Sequence, residues 1–233
     1  MLALTPVEAE ALTLSLRVAC WAVAASLPLG ILVAVVLTRV EFPGRALVSG
    51  LVHLPLVLPP VVTGYALLLL LGRHGPLGAW LESSLDVVVA FRWTGAAIAS
   101  AVMGFPLMVR AIRLSLESVD RRLESAAQTL GANRAWTFLA VTLPLMLPGV
   151  IAGAILAFAK SLGEFGATIT FVSNIPGETR TLPNAIYTYT QVPGGEREAL
   201  RLCLLAVALS MAALLASEIM ARFVGRRTQP DVG

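Results

Sequence analysis

ESAAQTLGANRAWTFLAVTLPLMLPG, residues Glu124 to Gly149, changes character in mid-course. Its first part, Glu124 to Leu130, is polar, carries small residues at Ala126 and Ala127, and reads as a short helix. Gly131 stands where a glycine just past a helix end lets the backbone turn left-handed. A polar-to-apolar segment follows to Leu143 and Pro144, and an apolar run then extends from about Leu145 to Gly163. That run nears the ~20 residues a bilayer core requires. A short polar helix whose small residues permit close approach, joined to a membrane-length run, predicts a surface element that another protein docks against. It occupies about residues 118–142.

Four more long apolar segments lie outward of it. The first runs from about Ala11 to Thr38, with Arg17 near its outer end, placed to snorkel, and Pro28 and Gly30 placed to bend it. The second runs from about Leu51 to Leu71 and starts with His53, Pro55, Pro59 and Pro60. The prolines read as kinks or as an unwound turn. The third runs from about Trp93 to Leu114, and the last from about Leu200 to Phe223. Phe165 to Val172 is too short to span; it extends the preceding span or forms a re-entrant element, which leaves open a sixth short membrane element at about 165–192. Lipid admits only helices or closed barrels, and these runs are too long for barrel strands. The predicted fold is therefore all-α: a polytopic transmembrane helical bundle of about five spans, residues 1–233 forming one domain.

Composition agrees. Hydrophobic residues make up 57% and charged residues 13% of the 233, where a soluble domain carries roughly a quarter charged. Mean hydropathy is +0.83. Too few polar groups exist to coat a globule, so membrane lipid is a partner. The net charge of +3 does not point to nucleic acid, because the cations sit between apolar runs without interleaved aromatics. Arginine-rich segments mark the cytoplasmic side: Arg39 and Arg45; Arg110, Arg113, Arg121, Arg122 and Arg134; Arg222, Arg226 and Arg227. The loops holding Arg73, Glu82, Asp86 and Arg92, and Glu178, Arg180, Glu196, Arg197 and Glu198, mix signs and face outside. Five spans then place the N-terminus outside and the C-terminus inside. MLALTPVEAE lacks a charged region ahead of the first apolar run, which predicts a retained span rather than a cleaved leader.

Several chemistries are excluded. A phosphate-cradling GxxxxGK[ST] loop needs glycines for its amides and a lysine. The only lysine is Lys160, and Ala159 and Ala154 occupy the glycine positions. No HExxH is present, the only histidines are His53 and His74, and Cys20 and Cys203 both lie in apolar runs. No catalytic residue and no bound metal or cofactor is expected.

The stretch from Glu124 resembles the EAA motif of type I ABC importer permeases: Ala126, Ala127, Gly131, then Val141, with Leu143 and Pro144 closing it. One departure is visible: the motif's glutamate falls at Ser125, whereas this chain has Glu124 one position earlier. HLPLVLPPVVTGY (His53 to Tyr65), FPLMVRAIR (Phe105 to Arg113) and SLGEFGATITFVSNIPGETRTLPNAIYT (Ser161 to Thr188) are similar to molybdate permeases, and the likeness runs from about Leu14 to Arg222. The resemblance implies a coupling segment, with Glu124, Ala126, Ala127, Gly131, Leu143 and Pro144 as its candidate residues, that docks into a cytoplasmic ABC ATPase subunit. It implies two copies of this chain, two ATPase subunits carrying ATP and Mg, and a periplasmic molybdate-binding protein, assembled at the bacterial inner membrane. The alternative is the same kind of permease for sulfate or tungstate.

Within the membrane, Ser161, Glu164 and Thr168 are candidates for the translocation pathway or its gate, since ionisable residues inside a span are functional candidates. The plainer reading is an interfacial i,i+4 pair of Lys160 with Glu164. His53 reads as a satisfied helix-end histidine or a pathway group. Arg110 and Arg113 read as headgroup anchors or as a cytoplasmic anion exit. Trp21, Trp80, Trp93 and Trp136 read as interfacial anchors.

Overall fold

The computed structural model describes residues 4–228, with side chains described through residue 216 and at 219. Among these residues the chain is helical, with no strand. The elements are α1 (Pro6–Arg39), α2 (Arg45–Val57), α3 (Pro60–Leu71), α4 (Pro76–Leu85), α5 (Trp93–Glu117), α6 (Arg121–Thr129), α7 (Arg134–Thr137), a π-helical turn (Phe138–Thr142), α8 (Leu143–Leu162), α9 (Gly166–Val172), α10 (Leu182–Thr190) and α11 (Glu196–Thr228). A capping box starts α1: the Thr5 hydroxyl accepts from the Glu8 amide, and the Glu8 carboxylate accepts from the Thr5 amide at 2.7 Å.

Four stretches are long and apolar enough to cross a membrane: α1, α5, the continuous run Arg134–Leu162, and α11 over Glu196–Ala216. The second span expected over Leu51 to Leu71 is broken. It consists of α2 and α3, bent by 114°. Leu58 and Pro59 are extended, with ψ of 144° and 133°. A residue before proline is driven out of the helical region, and two successive prolines remove two amide donors. Pro55 stays inside α2 and Pro28 inside α1. The segment from Phe165 to Val172 does not extend the preceding span: α8 ends at Leu162, and α9 starts afresh at Gly166. α4 has no counterpart among the elements expected from sequence, whereas α10 falls within the 165–192 stretch left open for a sixth short element; both helices are short and of mixed polarity. The basic tail residues Arg222, Arg226 and Arg227 lie outside the described side chains.

The bundle is built around α1, α5 and α8. Leu37, Met108, Ile112, Leu116 and Met146 are fully buried between them. A Cβ added at Gly153 on α8 would stand 2.9 Å from the Met108 carbonyl oxygen, so this interface brings backbone against backbone. A second cluster joins Val18, Ala96, Ala99 and Met103 to Ala167, Phe171 and Val172 of α9. The third joins Ala11 to Leu182, Ala185 and Leu202. It is tied by fully buried Glu8, which accepts from Arg201 Nε at 2.9 Å and links α1 to α11. Arg17 does not simply snorkel: its guanidinium lies 3.7 Å over the Trp93 ring, which is tilted on Trp21 at 6.3 Å. Leu29, Leu32, Leu47, Val57, Leu204, Val207 and Leu215 are exposed, the outward apolar surface a lipid-facing bundle needs.

Candidate functional site

Asp120 starts α6 by accepting from the Arg122 amide at 2.9 Å. Its far end is a Schellman closure. The Ala132 amide reaches back to the Ala127 carbonyl at 3.1 Å, and the Gly131 amide to Gln128 at 3.0 Å. This closure puts Gly131 at φ 92°, a conformation that costs side-chain-bearing residues about 1–2 kcal/mol. Asn133 then starts α7 by accepting from the Trp136 amide at 2.8 Å. The two capped helices present an apolar face to the outside: Leu130 is 90%, Trp136 63% and Leu123 50% exposed. Ala126 is exposed beside them, and Ala127 is half-buried under the turn.

Glu124 points the other way. Its Oε1 accepts from Arg39 Nη2 at 2.9 Å and from the Thr142 hydroxyl at 2.8 Å. A single carboxylate thus joins α6 to the end of α1 and to the foot of α8. Thr142 closes the π-helical turn, where the Leu143 amide reaches back to Phe138. Pro144 follows, half a turn into α8. A proline has no amide for the carbonyl four residues back and its ring crowds that carbonyl, so the ladder widens just before it. Leu143 packs on the core; Pro144 is exposed.

Replacing Glu124 with alanine would strand the Arg39 guanidinium, which is only 17% exposed. The expected loss is about 1–2 kcal/mol. Arg39→Ala should cost about as much, and the double variant no more than either alone. Thermal unfolding of the solubilised proteins reads the cycle; full additivity would mean the two groups do not interact.

Ser161, Glu164 and Thr168 are all buried, with 6%, 2% and 0% exposure. The structure brings them together at the α8–α9 break. Glu164 Oε2 accepts from Lys160 Nζ at 2.6 Å, and Oε1 accepts from the Ala167 amide at 3.0 Å, at the start of α9. Thr168 donates to the Phe165 carbonyl at 2.8 Å and Ser161 to Ala157 at 2.8 Å. Their hydrogen bonds are spent within the chain, so the trio holds the break in shape. At the opposite end of the bundle from α6, Glu178 accepts from the Trp93 amide at 3.3 Å, and Arg180 Nε donates to Asn174, which donates to Thr188. These bonds order the loop before α10. From sequence, Arg39 reads only as a marker of the cytoplasmic side and Leu130 only as a helix end, and Thr142 and Leu123 carry no role, although the apolar spacing of Leu123 and Leu130 on an otherwise polar helix is a signal.

A helical bundle with several membrane-length elements, one of them broken, and an exposed capped helix at one end defines a polytopic membrane protein. Residues 26–230 match the family described as binding-protein-dependent transport system inner membrane component, and the chain belongs to that family. It is 59% identical over 224 residues to the molybdenum transport system permease protein ModB of Escherichia coli (strain K12), covering 96% of this chain and 98% of that protein. It is 54% identical over 226 residues to the protein of the same name from Haemophilus influenzae, covering 97% of each. A crystal structure of a bacterial ABC transporter that imports the acidic polysaccharide alginate shares the fold. The TM-score there is 0.74 at 18% identity, covering 97% of this chain and 82% of that one. The expected all-helical permease bundle, placed in the inner membrane, is what the chain forms.

Proposed function

We propose that the chain is the membrane-spanning permease subunit of an ATP-driven molybdate importer. The observation that carries this reading is the 59% identity, sustained over nearly the whole chain, to a protein named for molybdenum transport. The arginine-rich end, holding α6 and the foot of α8, faces the cytoplasm. There the Leu123, Leu130 and Trp136 face, with Ala126 beside it, docks into an ABC ATPase subunit that binds ATP and Mg. Two copies of the chain enclose the route, and a periplasmic molybdate-binding protein delivers the anion to the other end.

The internal contacts explain how force would travel. Closure of the ATPases moves α6. The Glu124 carboxylate passes that movement to α1 through Arg39 and to α8 through Thr142. Because α8 meets α5 backbone to backbone at Gly153, little compressible material lies between them, and the three long helices move as one body. The breaks at Leu58–Pro59 and at Gly163 are where α3 and α9 change angle relative to that body. Cargo selection rests with the binding protein, so the route itself needs no tight site.

The test is uptake of labelled molybdate into proteoliposomes holding this chain, its candidate ATPase and its binding protein. Uptake should require all three and ATP, and excess sulfate should compete less well than tungstate or molybdate. Uptake that persists without the ATPase would mean a channel or secondary transporter instead. Preferential sulfate transport would move the cargo assignment to the sister permeases.

A further inference from the structure

Four cations on the spanning helices are matched: Arg17 over Trp93, Arg39 on Glu124, Lys160 on Glu164 and Arg201 on Glu8. Arg110 and Arg113 on α5 are treated differently. Among the described residues no carboxylate lies within 4.0 Å of Arg110. Arg113 reaches Glu117 at only 3.5 Å and the Ser49 hydroxyl at 3.4 Å; its Nε, like that of Arg39, is buried with no partner. Arg110 stands about 10 Å before the end of α5, and its side chain is exposed rather than packed into the bundle.

The structure brings these arginines together with a residue nearly sixty positions away. Ser49, Gly50 and His53 of α2 and Arg110, Arg113, Leu114 and Glu117 of α5 line one cavity of about 430 Å³. His53 Nδ1 donates to the Ser49 carbonyl at 2.8 Å, leaving Nε2 uncommitted. Two guanidiniums face one carboxylate, so the cavity is net cationic. It opens at the same end of the bundle as α6.

We propose that this cavity is a weak station for a tetrahedral oxyanion, the transported anion itself, on its way out of the permease. The inference rests on the oxyanion-permease reading and adds the residues that reading lacked. A planar guanidinium fork suits paired oxygens of such an anion. Glu117, tethered to Arg113, keeps the attraction shallow, and conduction needs a site the ion can leave. The volume leaves room for the anion with part of its water. A lipid phosphate offers the same chemistry, so the experiment must separate the two.

A reporter thiol is placed by Leu114→Cys in a Cys20→Ser, Cys203→Ser background, within the complete complex in phosphatidylcholine vesicles. Molybdate, and sulfate at higher concentration, should slow its maleimide labelling, whereas chloride at equal ionic strength should not. Adding Arg110→Gln and Arg113→Gln should remove the protection. In uptake, the same pair of changes should lower the rate about tenfold, the size of one lost charge-assisted bond, with ATP hydrolysis retained and partial recovery by Arg110→Lys. Protection that survives the double change overturns the proposal. So does protection that appears only with phosphatidylglycerol and ignores molybdate, or wild-type uptake by the double variant. The labelling arm reads the site directly: a complex that labels as expected but imports no oxyanion keeps the oxyanion cavity, and overturns the permease reading together with the transit role given to the cavity here.

Discussion

Replacing Gly131 with tryptophan is expected to abolish ATP-driven uptake and ATPase binding while leaving the chain inserted and folded. The expectation follows from two facts about one position. Gly131 has φ 92°, so any side chain there strains the turn. Yet a Cβ added at Gly131 meets nothing within 4 Å, so a side chain can leave the backbone there into open space. What the indole does occupy is the space beside Leu130 and Trp136, where the proposed ATPase contact lies. A partner seated on that face is pushed off, and the Schellman closure that aligns α6 with α7 loosens by about 1–2 kcal/mol. Gly131→Asn separates the two effects. Asparagine tolerates the left-handed region and adds little bulk, so it should retain most uptake. Co-purification of the ATPase with each variant, beside uptake in proteoliposomes, decides the matter. Normal uptake by the tryptophan variant would remove the docking role from this turn.

How much of this was legible in the sequence depends on how local the cause is. Gly131 could be read as a helix-ending glycine because its neighbours in sequence are its neighbours in the turn. The long spans could be read because bilayer thickness acts on each run separately. Glu124 is the contrary case. Its position in a docking motif suggests a group offered to a partner, but its carboxylate turns inward to Arg39, 85 residues away. The Glu8–Arg201 link spans 193 residues and has no local signature. Pro59 and Pro60 announce a break but not its 114° angle, which is set by where α3 finds a surface to pack on. That surface is α9, a hundred residues further along. His53, Arg110 and Arg113 were each noticed singly; only the pairing of α2 with α5 makes them one cavity.

The packing of α3 on α9 yields the other large effect. Gly64→Ala, a single added methyl, is expected to destabilise the chain by about 3 kcal/mol, the upper range for overpacking a close-packed site. A Cβ at Gly64 would stand 2.5 Å from the Ala167 carbonyl oxygen and 2.9 Å from both Ala167 Cα and Thr170 Cβ. Two of those atoms are backbone, so no rotamer change relieves the contact. Nor can α9 easily retreat: Ala167 and Phe171 are fully buried, and Glu164 holds the Ala167 amide. Alanine would otherwise gain about 0.5–1 kcal/mol over glycine inside a helix, so a measured loss understates the steric cost. Gly163→Ala is the matched control, because its Cβ meets nothing nearer than 4.0 Å. The solubilised Gly64→Ala protein should unfold about 10 °C lower, with the Gly163 variant near the parent. Equal stability of the two would mean that α3 does not seat against α9 as described. The break at Pro59 would then be a free joint, and the bend would carry no fixed angle for an alternating-access motion to change.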